Sequence, residues 1–356
     1  MKSGKSTKSS KRPVGNTNVL FNWKIDSVLK QHLRESLRHL PEIKLIFPND
    51  FKADKILKHT RNADIIVGWK TTIEMLKSAE KLKLYINPGT GIKYHIDNFR
   101  EINRLRKVVL VNGHGHAYST AQHAVAMLLT LMNRVIPHHN LMKDGIWNVS
   151  DNEDLYSSSV QLRNRKIGLL GYGAINKNVH KFLSGFENKF FILRQRWGDK
   201  IEEKFSDDFK KYNLAQLNQF LKDIDILIIA IPHTSKTENM IGEKELKLLG
   251  KNSLLVNVAR GIIVNEKSLY DSLKKGITGG AALDVWYNYT PEKDKSGKEY
   301  PYKYPFHKLK NIILSPHRAA SPFDEISRWD EVIENIKRLN AGREDYLNIV
   351  DLNAEY

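Results

Sequence analysis

The stretch Lys166-Ile-Gly-Leu-Leu-Gly-Tyr-Gly-Ala-Ile-Asn-Lys-Asn-Val179 decides the fold class of this chain. Its first part, Ile167 to Leu170, predicts a short buried strand, Gly171-Tyr-Gly173 predicts a tight turn, and Ala174 to Leu183 predicts a helix. This order of elements places a pyrophosphate on the amides of a helix N-terminus. Asn176 stands where a third glycine is usual, and we expect it to loosen the packing of helix on strand slightly. Because glycine turns are common, the motif alone indicates little.

Apolar runs on both sides of this stretch alternate between strand-like and helix-like patterns. Upstream, strands are expected at Val19–Phe21, Ile43–Phe47, Ala63–Gly68, Leu84–Ile86 and Val108–Val111, and helices at Val28–Leu40 and Leu76–Leu82. Downstream, strands are expected at Phe190–Leu193, Ile224–Ile231, Leu254–Val258, Ala281–Val285 and Ile312–Leu314, with a helix at Ile326–Leu339. This alternation predicts an α/β protein with two doubly wound parallel sheets, Rossmann-like or flavodoxin-like, and a cleft between the domains.

A chain of 356 residues is long enough for two domains. We expect a disordered basic tail at 1–16, a substrate domain at 17–119 plus 318–356, and a dinucleotide-binding domain at 120–317. Ser119 or Thr120 is a candidate cap for a long helix, Ala121–Val135, which is apolar on most sides. We expect that helix to be buried between the domains.

Composition excludes several kinds of protein. The chain has no cysteine, so disulfides and thiolate chemistry are excluded. No apolar run reaches the roughly 18 residues that span a bilayer, and the start of the chain lacks the apolar core of a secretion signal, so a cytoplasmic location without membrane contact is expected. The net charge of +17 leaves nucleic-acid association through the basic tail as an alternative, but no Lys/Arg stripe with interleaved aromatic residues favours it.

Polar residues follow the predicted strands of the second half, each at the point where a strand ends. They are Gly171 and Gly173, Arg194, Pro232-His-Thr234, Arg260-Gly261, Asp284, and Pro316-His317. Ligands of doubly wound sheets bind beyond the carboxyl ends of the strands. These residues therefore indicate one cleft.

Four segments carry a resemblance to a known family. They are Gly-Leu-Leu-Gly-Tyr-Gly (168–173), Val-Asn-Val-Ala-Arg-Gly (256–261), Gly-Ala-Ala-Leu-Asp-Val (280–285) and Leu-Ser-Pro-His (314–317). In order and spacing the chain resembles the D-isomer-specific 2-hydroxyacid dehydrogenases from about Ala63 to Ala320. The resemblance implies an NAD(P)H-dependent reductase that converts a small 2-keto acid to the D-2-hydroxy acid, similar to glyoxylate or hydroxypyruvate reductases. It also implies a homodimer formed through the cofactor domain.

Residue chemistry fits these roles. The planar fork of Arg260 suits an anchor for the substrate carboxylate and a polariser of the carbonyl, with a surface ion pair as the alternative. His317 suits the proton donor because imidazole titrates near neutral pH, with a structural histidine as the alternative. By resemblance Asp284 would hold the nicotinamide carboxamide, and its alternative is a cap at the strand end.

The chain departs from the family at Tyr289, where the family has a glutamate paired with the histidine. A carboxylate beside imidazole favours its charged form, so we expect His317 to be harder to protonate and the working range to lie at lower pH. Tyr289 is a candidate catalytic residue that orients the ring, and Glu292 or Asp294 is a candidate substitute. Tyr289 and Asn176 also motivate an alternative, a dinucleotide-sensing protein with weak or no catalysis.

The resemblance assigns cofactor contacts to Gly171, Tyr172, Gly173, Ala174, Ile175, Arg194, Gln195, Arg196, Pro232, Thr237, Val258, Ala259 and Asp284. NAD-binding proteins carry an acidic residue where this chain has Arg194. Two guanidiniums in place of an acid favour the 2′-phosphate of NADP(H) over NAD(H), unless they stack on adenine or face solvent.

Substrate contacts are expected in the first half of the chain. Gly89, Thr90 and Gly91 resemble the family loop whose amides bind the substrate carboxylate, and Lys70 is a candidate for a second anionic group. His116, with His114, precedes the long helix and is a candidate cleft residue; a metal is not expected, because hydride transfer needs none. An aromatic lid is a further possibility, with loop packing or a subunit contact as the alternative. Its members would be Trp286, Tyr287, Tyr289, Tyr300, Tyr302 and Tyr304.

Overall fold

The computed structural model describes residues 16–147, 159–197, 209–320 and 325–356. The chain forms two compact units, Met1–Gly115 with Asp324–Tyr356, and His116–Phe323. The predicted domain boundaries, after 119 and after 317, both fall within the second unit. The predicted tail lies outside the described residues except for its last position.

The chain contains parallel strands alternating with helices. The strands are β1 (Thr17–Phe21), β2 (Ile43–Ile46), β3 (Ile65–Val67), β4 (Leu84–Asn87), β5 (Val109–Asn112), β6 (Lys166–Leu170), β7 (Lys189–Leu193), β8 (Phe209–Tyr212), β9 (Ile226–Ile229), β10 (Leu254–Asn257), β11 (Gly280–Leu283) and β12 (Ile312–Leu314). The α-helices are α1 (Ser27–Leu37), α2 (Ala53–Thr60), α3 (Ile73–Ser78), α4 (Ile96–Leu105), α5 (Ala117–Met132), α6 (Val135–Lys143), α7 (Ala174–Leu183), α8 (Leu217–Lys222), α9 (Glu243–Leu249), α10 (Glu266–Lys274) and α11 (Asp330–Asn340).

The first unit is built on a five-stranded sheet in the order β2-β1-β3-β4-β5, with every pairing parallel. Helices cover both faces of this sheet, and apolar side chains of the strands pack against them on each face. One face packs against α1 and α11, and the other against α3 and α4. Asp26 begins α1 by accepting a hydrogen bond from the Leu29 amide at 2.8 Å.

The second unit is built on a seven-stranded parallel sheet in the order β12-β11-β10-β9-β6-β7-β8. The strand order reverses beside β6, because the chain runs outward through β7 and β8 and then returns to β9 on the other side of β6. Such a reversal opens a crevice at the carboxyl ends of the strands. Two apolar clusters, one on each face, bury the sheet. The predicted pair of parallel α/β sheets is confirmed.

Several predicted elements need correction. Helices α2, α4, α8, α9 and α10 and strand β8 were not predicted. The helix predicted at Leu76–Leu82 lies earlier, as α3, where Thr72 caps it by accepting from the Met75 amide at 3.2 Å. The terminal helix predicted at Ile326–Leu339 consists of a short 3-10 turn followed by α11. These shifts follow cap residues that apolar periodicity does not register.

The long helix predicted at Ala121–Val135 begins and ends earlier, as α5, and a second helix, α6, begins at Val135. They are separated at Asn133-Arg134, where Arg134 adopts a left-handed conformation with φ of 52°. The predicted cap at Ser119 or Thr120 is wrong: α5 begins at Ala117, with His116 at the cap position. Thr120 lies inside the helix, and its hydroxyl donates to the His116 carbonyl at 2.9 Å. Across the described ranges, no helix has both the length and the apolar character of a membrane span.

Candidate active site

The glycine turn after β6 has the geometry of a phosphate cradle. Gly171 has φ of +84°, and a Cβ there would lie 2.7 Å from the Ala230 carbonyl oxygen, so only glycine fits. Gly173 is exposed, and a Cβ there would meet nothing within 4 Å. The first residues of α7, Ala174 and Ile175, follow directly. A dinucleotide pyrophosphate can therefore approach the amides that begin α7, and the turn fits the predicted cofactor.

Asn176 tightens this turn, contrary to the expected loosening. Its side chain is fully buried, and its amide nitrogen donates to the carbonyls of Gly171 at 2.7 Å and Leu170 at 3.2 Å. A third glycine would allow the helix to pack closely against the strand. Asn176 instead holds the turn by hydrogen bonds.

Tyr172 contributes only its backbone to the surface of the turn. Its side chain is 4% exposed, and its hydroxyl lies 2.7 Å from Nδ1 of the buried His180. The ring therefore packs inside the unit, beneath α7.

A cluster of cations follows β7. Arg194 is half-buried, whereas Gln195 and Arg196 are exposed. The Arg194 guanidinium carbon lies 5.4 Å from the centre of the Trp197 ring, and Nη1 is buried without a hydrogen-bond partner among the described residues. Lys211 of β8 places its ammonium 5.5 Å from the same ring. Sequence reasoning missed Trp197 and Lys211, and it missed Lys211 because β8 was not predicted.

The ends of β9 and β10 form ordered turns. Thr237 closes the first by donating from its hydroxyl to the Pro232 carbonyl at 2.8 Å and accepting from the Thr234 amide at 2.8 Å. In the second, Val258 and Ala259 are buried, and Asn257 accepts from the Ala259 amide at 3.0 Å. Both turns lie at the carboxyl edge of the sheet, as expected for cofactor contacts.

Arg260 follows β10 in a tightly held backbone. Asn257 donates to its carbonyl at 3.0 Å, and a Cβ at Gly261 would lie 2.4 Å from the Trp286 carbonyl oxygen. The side chain is half-buried, and Nη1 donates to the Ala259 carbonyl at 2.6 Å. Within the described ranges no carboxylate forms an ion pair with Arg260, so the geometry does not favour the surface ion pair.

His317 lies after β12, near enough to Arg260 for their charges to interact. Burial lowers the pKa of His317, and the Arg260 charge lowers it further, while the Asp284 carboxylate acts in the opposite direction. The backbone of His317 is left-handed, with φ of 57°. A guanidinium and an imidazole from the ends of two strands thus share one electrostatic environment.

Asp284 is fully buried at the end of β11. Its Oδ1 accepts from the Ser315 hydroxyl and from the Arg318 amide at 2.7 Å, and its Oδ2 accepts from the Ala319 amide at 2.9 Å. Burial raises its pKa, but the nearby His123 side chain and the hydrogen bonds from Ser315 and these amides outweigh burial and leave the pKa below its ordinary value. These contacts are those expected of a cap at the strand end, the alternative role for Asp284. Its role in holding the nicotinamide carboxamide stays a prediction.

Tyr289 contacts the imidazole of His317, with ring centroids 5.3 Å apart at 56°. Its ring is half exposed, and its hydroxyl accepts from the Trp286 amide at 3.3 Å. The residue in place of the family's glutamate therefore lies beside the histidine.

The other aromatic residues of the predicted lid are packed into the second unit. Trp286 is 5% exposed, and its indole nitrogen donates to the Ser315 carbonyl at 2.8 Å. Tyr302 packs on both Trp286 and Phe306, and Tyr304 stacks on Tyr270. The contacts match the loop-packing alternative, and the lid interpretation is not supported for these residues.

The loop Gly89–Gly91 in the first unit has its carbonyls turned into the protein. Asn87 donates to the carbonyls of Gly89 and Gly91, and Asn112 donates to that of Thr90 at 2.9 Å. In a trans peptide the C=O and the following N–H point in opposite directions. The amides of Thr90, Gly91 and Ile92 therefore face away from Asn87 and Asn112, as binding of a carboxylate requires.

Lys70 is exposed after β3, while its carbonyl accepts from Asn22 at 2.7 Å and from the Tyr85 hydroxyl at 3.0 Å. Trp69 lies over Gly89, with a ring carbon 2.6 Å from where a Cβ would stand. His116 belongs to the second unit, whereas His114 belongs to the first and donates from its amide to Glu331 at 2.6 Å. In the described part of the chain no three His, Cys, Asp or Glu side chains are placed to hold a metal.

Comparison with known proteins gives concordant findings. Residues 125–319, more than half of the chain, match the family model for the D-isomer specific 2-hydroxyacid dehydrogenase, NAD binding domain. A glyoxylate reductase of Thermococcus litoralis is 29% identical over 285 residues, which cover 78% of this chain and 80% of that protein. A glycerate dehydrogenase of Methylorubrum extorquens is 26% identical over 309 residues, covering 83% of this chain and 91% of that protein.

Solved structures show the same fold. A D-isomer specific 2-hydroxyacid dehydrogenase from Xanthobacter autotrophicus, in complex with NADPH and MES, has a TM-score of 0.75 at 19% identity, over 96% of this chain and 100% of that one. An NADPH-dependent glyoxylate/hydroxypyruvate reductase from Sinorhizobium meliloti has a TM-score of 0.72 at 21% identity, over 95% of this chain and 98% of that one.

Proposed function

The chain belongs to the D-isomer specific 2-hydroxyacid dehydrogenase family, and from that premise we propose that it uses NADPH to reduce glyoxylate or hydroxypyruvate. It is an NAD(P)-dependent oxidoreductase that acts on 2-keto and 2-hydroxy acids. The observation that carries the proposal is that Arg260 and His317 lie near each other at the carboxyl edge of one sheet, which also carries a glycine turn that fits a dinucleotide.

In this proposal the bound nicotinamide supplies the hydride, and protein residues perform the remaining tasks. The Arg260 fork grips the substrate carboxylate and the carbonyl oxygen, and so stabilises the charge that develops on that oxygen. Protonated His317 donates its proton to the same oxygen. Within the first unit, the amides of the Gly89–Gly91 loop are our candidates for binding a carboxylate, and the exposed Lys70 is a candidate for binding an anionic group.

Two observations support NADPH as the preferred cofactor. No acidic residue stands at the end of β7, and Arg194 there carries a buried nitrogen without a hydrogen-bond partner among the described residues. A phosphate oxygen would satisfy that nitrogen. Arg196 and Lys211 add positive charge nearby.

A homodimer formed through the second unit is the proposed assembly. No residue of α6 is fully buried, although Val135, Ile136 and Met142 are apolar and 47–53% exposed. Ile146 and Trp147 continue this exposed apolar surface along the chain, at 40% and 81% exposure. Apolar patches of this kind mark interaction sites, and a second copy of the chain would cover them.

Spectrophotometry of the purified protein tests the function. Oxidation of NADPH and NADH is followed side by side with glyoxylate, hydroxypyruvate and pyruvate. We expect Arg260→Ala to lower kcat/KM by about 10²–10³-fold, the usual cost of losing such a donor. Arg163→Ala, which removes a surface partner of Glu187, is the control and should retain activity. Equal activity of wild type and R260A would exclude Arg260 from the mechanism.

A further inference from the structure

A line of three side chains runs through Asp284 towards the backbone of His317. His123, on α5, places Nε2 2.9 Å from the Ser315 hydroxyl oxygen and 3.6 Å from Oδ1 of Asp284. The Ser315 hydroxyl itself lies against Oδ1 of Asp284. The predicted mechanism gives His123 and Ser315 no role.

The direction of these hydrogen bonds follows from counting hydrogens. An ionised carboxylate only accepts, so the single hydrogen of Ser315 is donated to Asp284. Ser315 must then accept from His123, and the proton of this imidazole lies on Nε2. His123 donates to Ser315, which donates to Asp284, and each member fixes the orientation of the next.

Asp284 also binds the backbone next to His317, the residue with the reactive imidazole. The carboxylate accepts from the amides of Arg318 and Ala319, which follow His317 directly. The left-handed region is unfavourable for residues other than glycine, and His317 is such a residue. The hydrogen bonds to Asp284 hold the backbone in that conformation.

In the described part of the chain, three groups face His317: Arg260, Asp284 and Tyr289. Arg260 opposes the charged imidazole and Tyr289 is a neutral phenol, so Asp284 supplies the favourable charge among them. His123, in turn, faces Asp284 and Ser315. The orientation of one buried carboxylate therefore affects both the position and the charge of His317.

We propose that His123 is a positioning residue: through Ser315 it holds the Asp284 carboxylate that in turn holds and supports His317. This inference rests on the proposed function, because it assigns His123 to the proton-donating half of that reaction.

The test compares His123→Ala with His123→Gln, whose amide nitrogen can donate in place of Nε2. We expect H123A to lower kcat for glyoxylate reduction about tenfold, with little change in the KM for glyoxylate. We expect H123Q to stay within about twofold of wild type. Gln122→Ala, an exposed neighbour on α5, is the matched control. If H123Q loses as much activity as H123A, or if neither loses any, the positioning role is wrong.

Two further measurements separate this inference from the proposed function. In a double-mutant cycle, H123A should have no additional effect in a Ser315→Ala background, because the link is already broken; additive losses would contradict the proposal. In NMR titrations without cofactor, the His317 ring signal should titrate at lower pH in H123A than in wild type, and unchanged in H123Q. An inactive wild type would refute the proposed reductase, whereas an unmoved His317 titration in H123A would refute the positioning role.

Discussion

At the scale of single residues, the proposed chemistry depends on a histidine whose surroundings oppose its charge. Burial and then Arg260 lower the pKa of His317, and Asp284 only partly offsets them. Reduction consumes the proton of His317, so kcat/KM for reduction should fall as pH rises through a midpoint below the ordinary histidine value of 6.5. Oxidation of the hydroxy acid needs the neutral ring and should rise through the same midpoint.

The substitution Tyr289→Glu should move that midpoint upward by about one pH unit, because a carboxylate beside imidazole favours its charged form. Tyr289 is half exposed, so the replacement should not disturb the core. The pH dependence of kcat/KM with NADPH and glyoxylate measures the shift. Tyr289→Gln is the neutral control and should leave the midpoint near that of wild type. A midpoint that is the same in Y289E and Y289Q would show that this position does not act on His317 through charge.

At the scale of elements, the glycine turn and α7 depend on a buried asparagine. Asn176→Ala should destabilise the protein by about 1–3 kcal/mol, because it removes the hydrogen bonds that the buried side chain donates to the Gly171 and Leu170 carbonyls. Thermal or urea unfolding measures the loss. Asn178→Ala is the control on the same helix, since Asn178 donates to the Ala174 carbonyl one turn earlier, within the helix itself. Equal stability of the two variants would mean that Asn176 does not hold the turn.

Strand β8 offers a matched pair for the proposed cofactor preference. Lys211 reaches Trp197 near Arg194, whereas the adjacent Lys210 pairs with Asp223 at 2.8 Å. Lys211→Met should weaken NADP⁺ binding about tenfold and leave NAD⁺ binding unchanged, because only NADP⁺ carries the 2′-phosphate. Lys210→Met should alter neither. Fluorescence titration gives both dissociation constants, and a loss shared by NAD⁺ would contradict a phosphate-specific role.

The elements differ in how far sequence could predict them. Strands β6, β10 and β12 are short apolar runs with a glycine or proline a few residues later. Such runs can be recognised in the sequence, so Arg260 and His317 could be predicted to lie at the ends of strands. Strand β8 reads Phe-Lys-Lys-Tyr, and two central lysines hide an edge strand. The bonds of Asn176, Asn257 and Ser315 join residues from different elements or bridge a turn, so they depend on packing that no local pattern encodes.

At the scale of the whole molecule, the exposed apolar surface of α6 predicts the assembly. Light scattering coupled to size-exclusion chromatography should give the mass of a dimer for wild type. Met142→Glu should shift the population to monomer, because burying an unpaired carboxylate in an interface is costly. Leu105→Glu, on α4 of the first unit and 67% exposed in wild type, is the control and should remain dimeric. A monomeric wild type, or a dimeric M142E, would argue against α6 as the contact.

The first unit is assembled from two separate pieces of chain, and this has a consequence for synthesis. Residues of α11, including Ile333 and Ile336, complete the apolar cluster beneath β1 and β3, and Glu355 pairs with Lys93 and Arg100. The second unit lies wholly within 116–323. A ribosome therefore finishes the second unit while the first still lacks its covering helix. Although it begins earlier, the first unit closes later, and the uncovered face of its sheet needs protection by chaperones for longest.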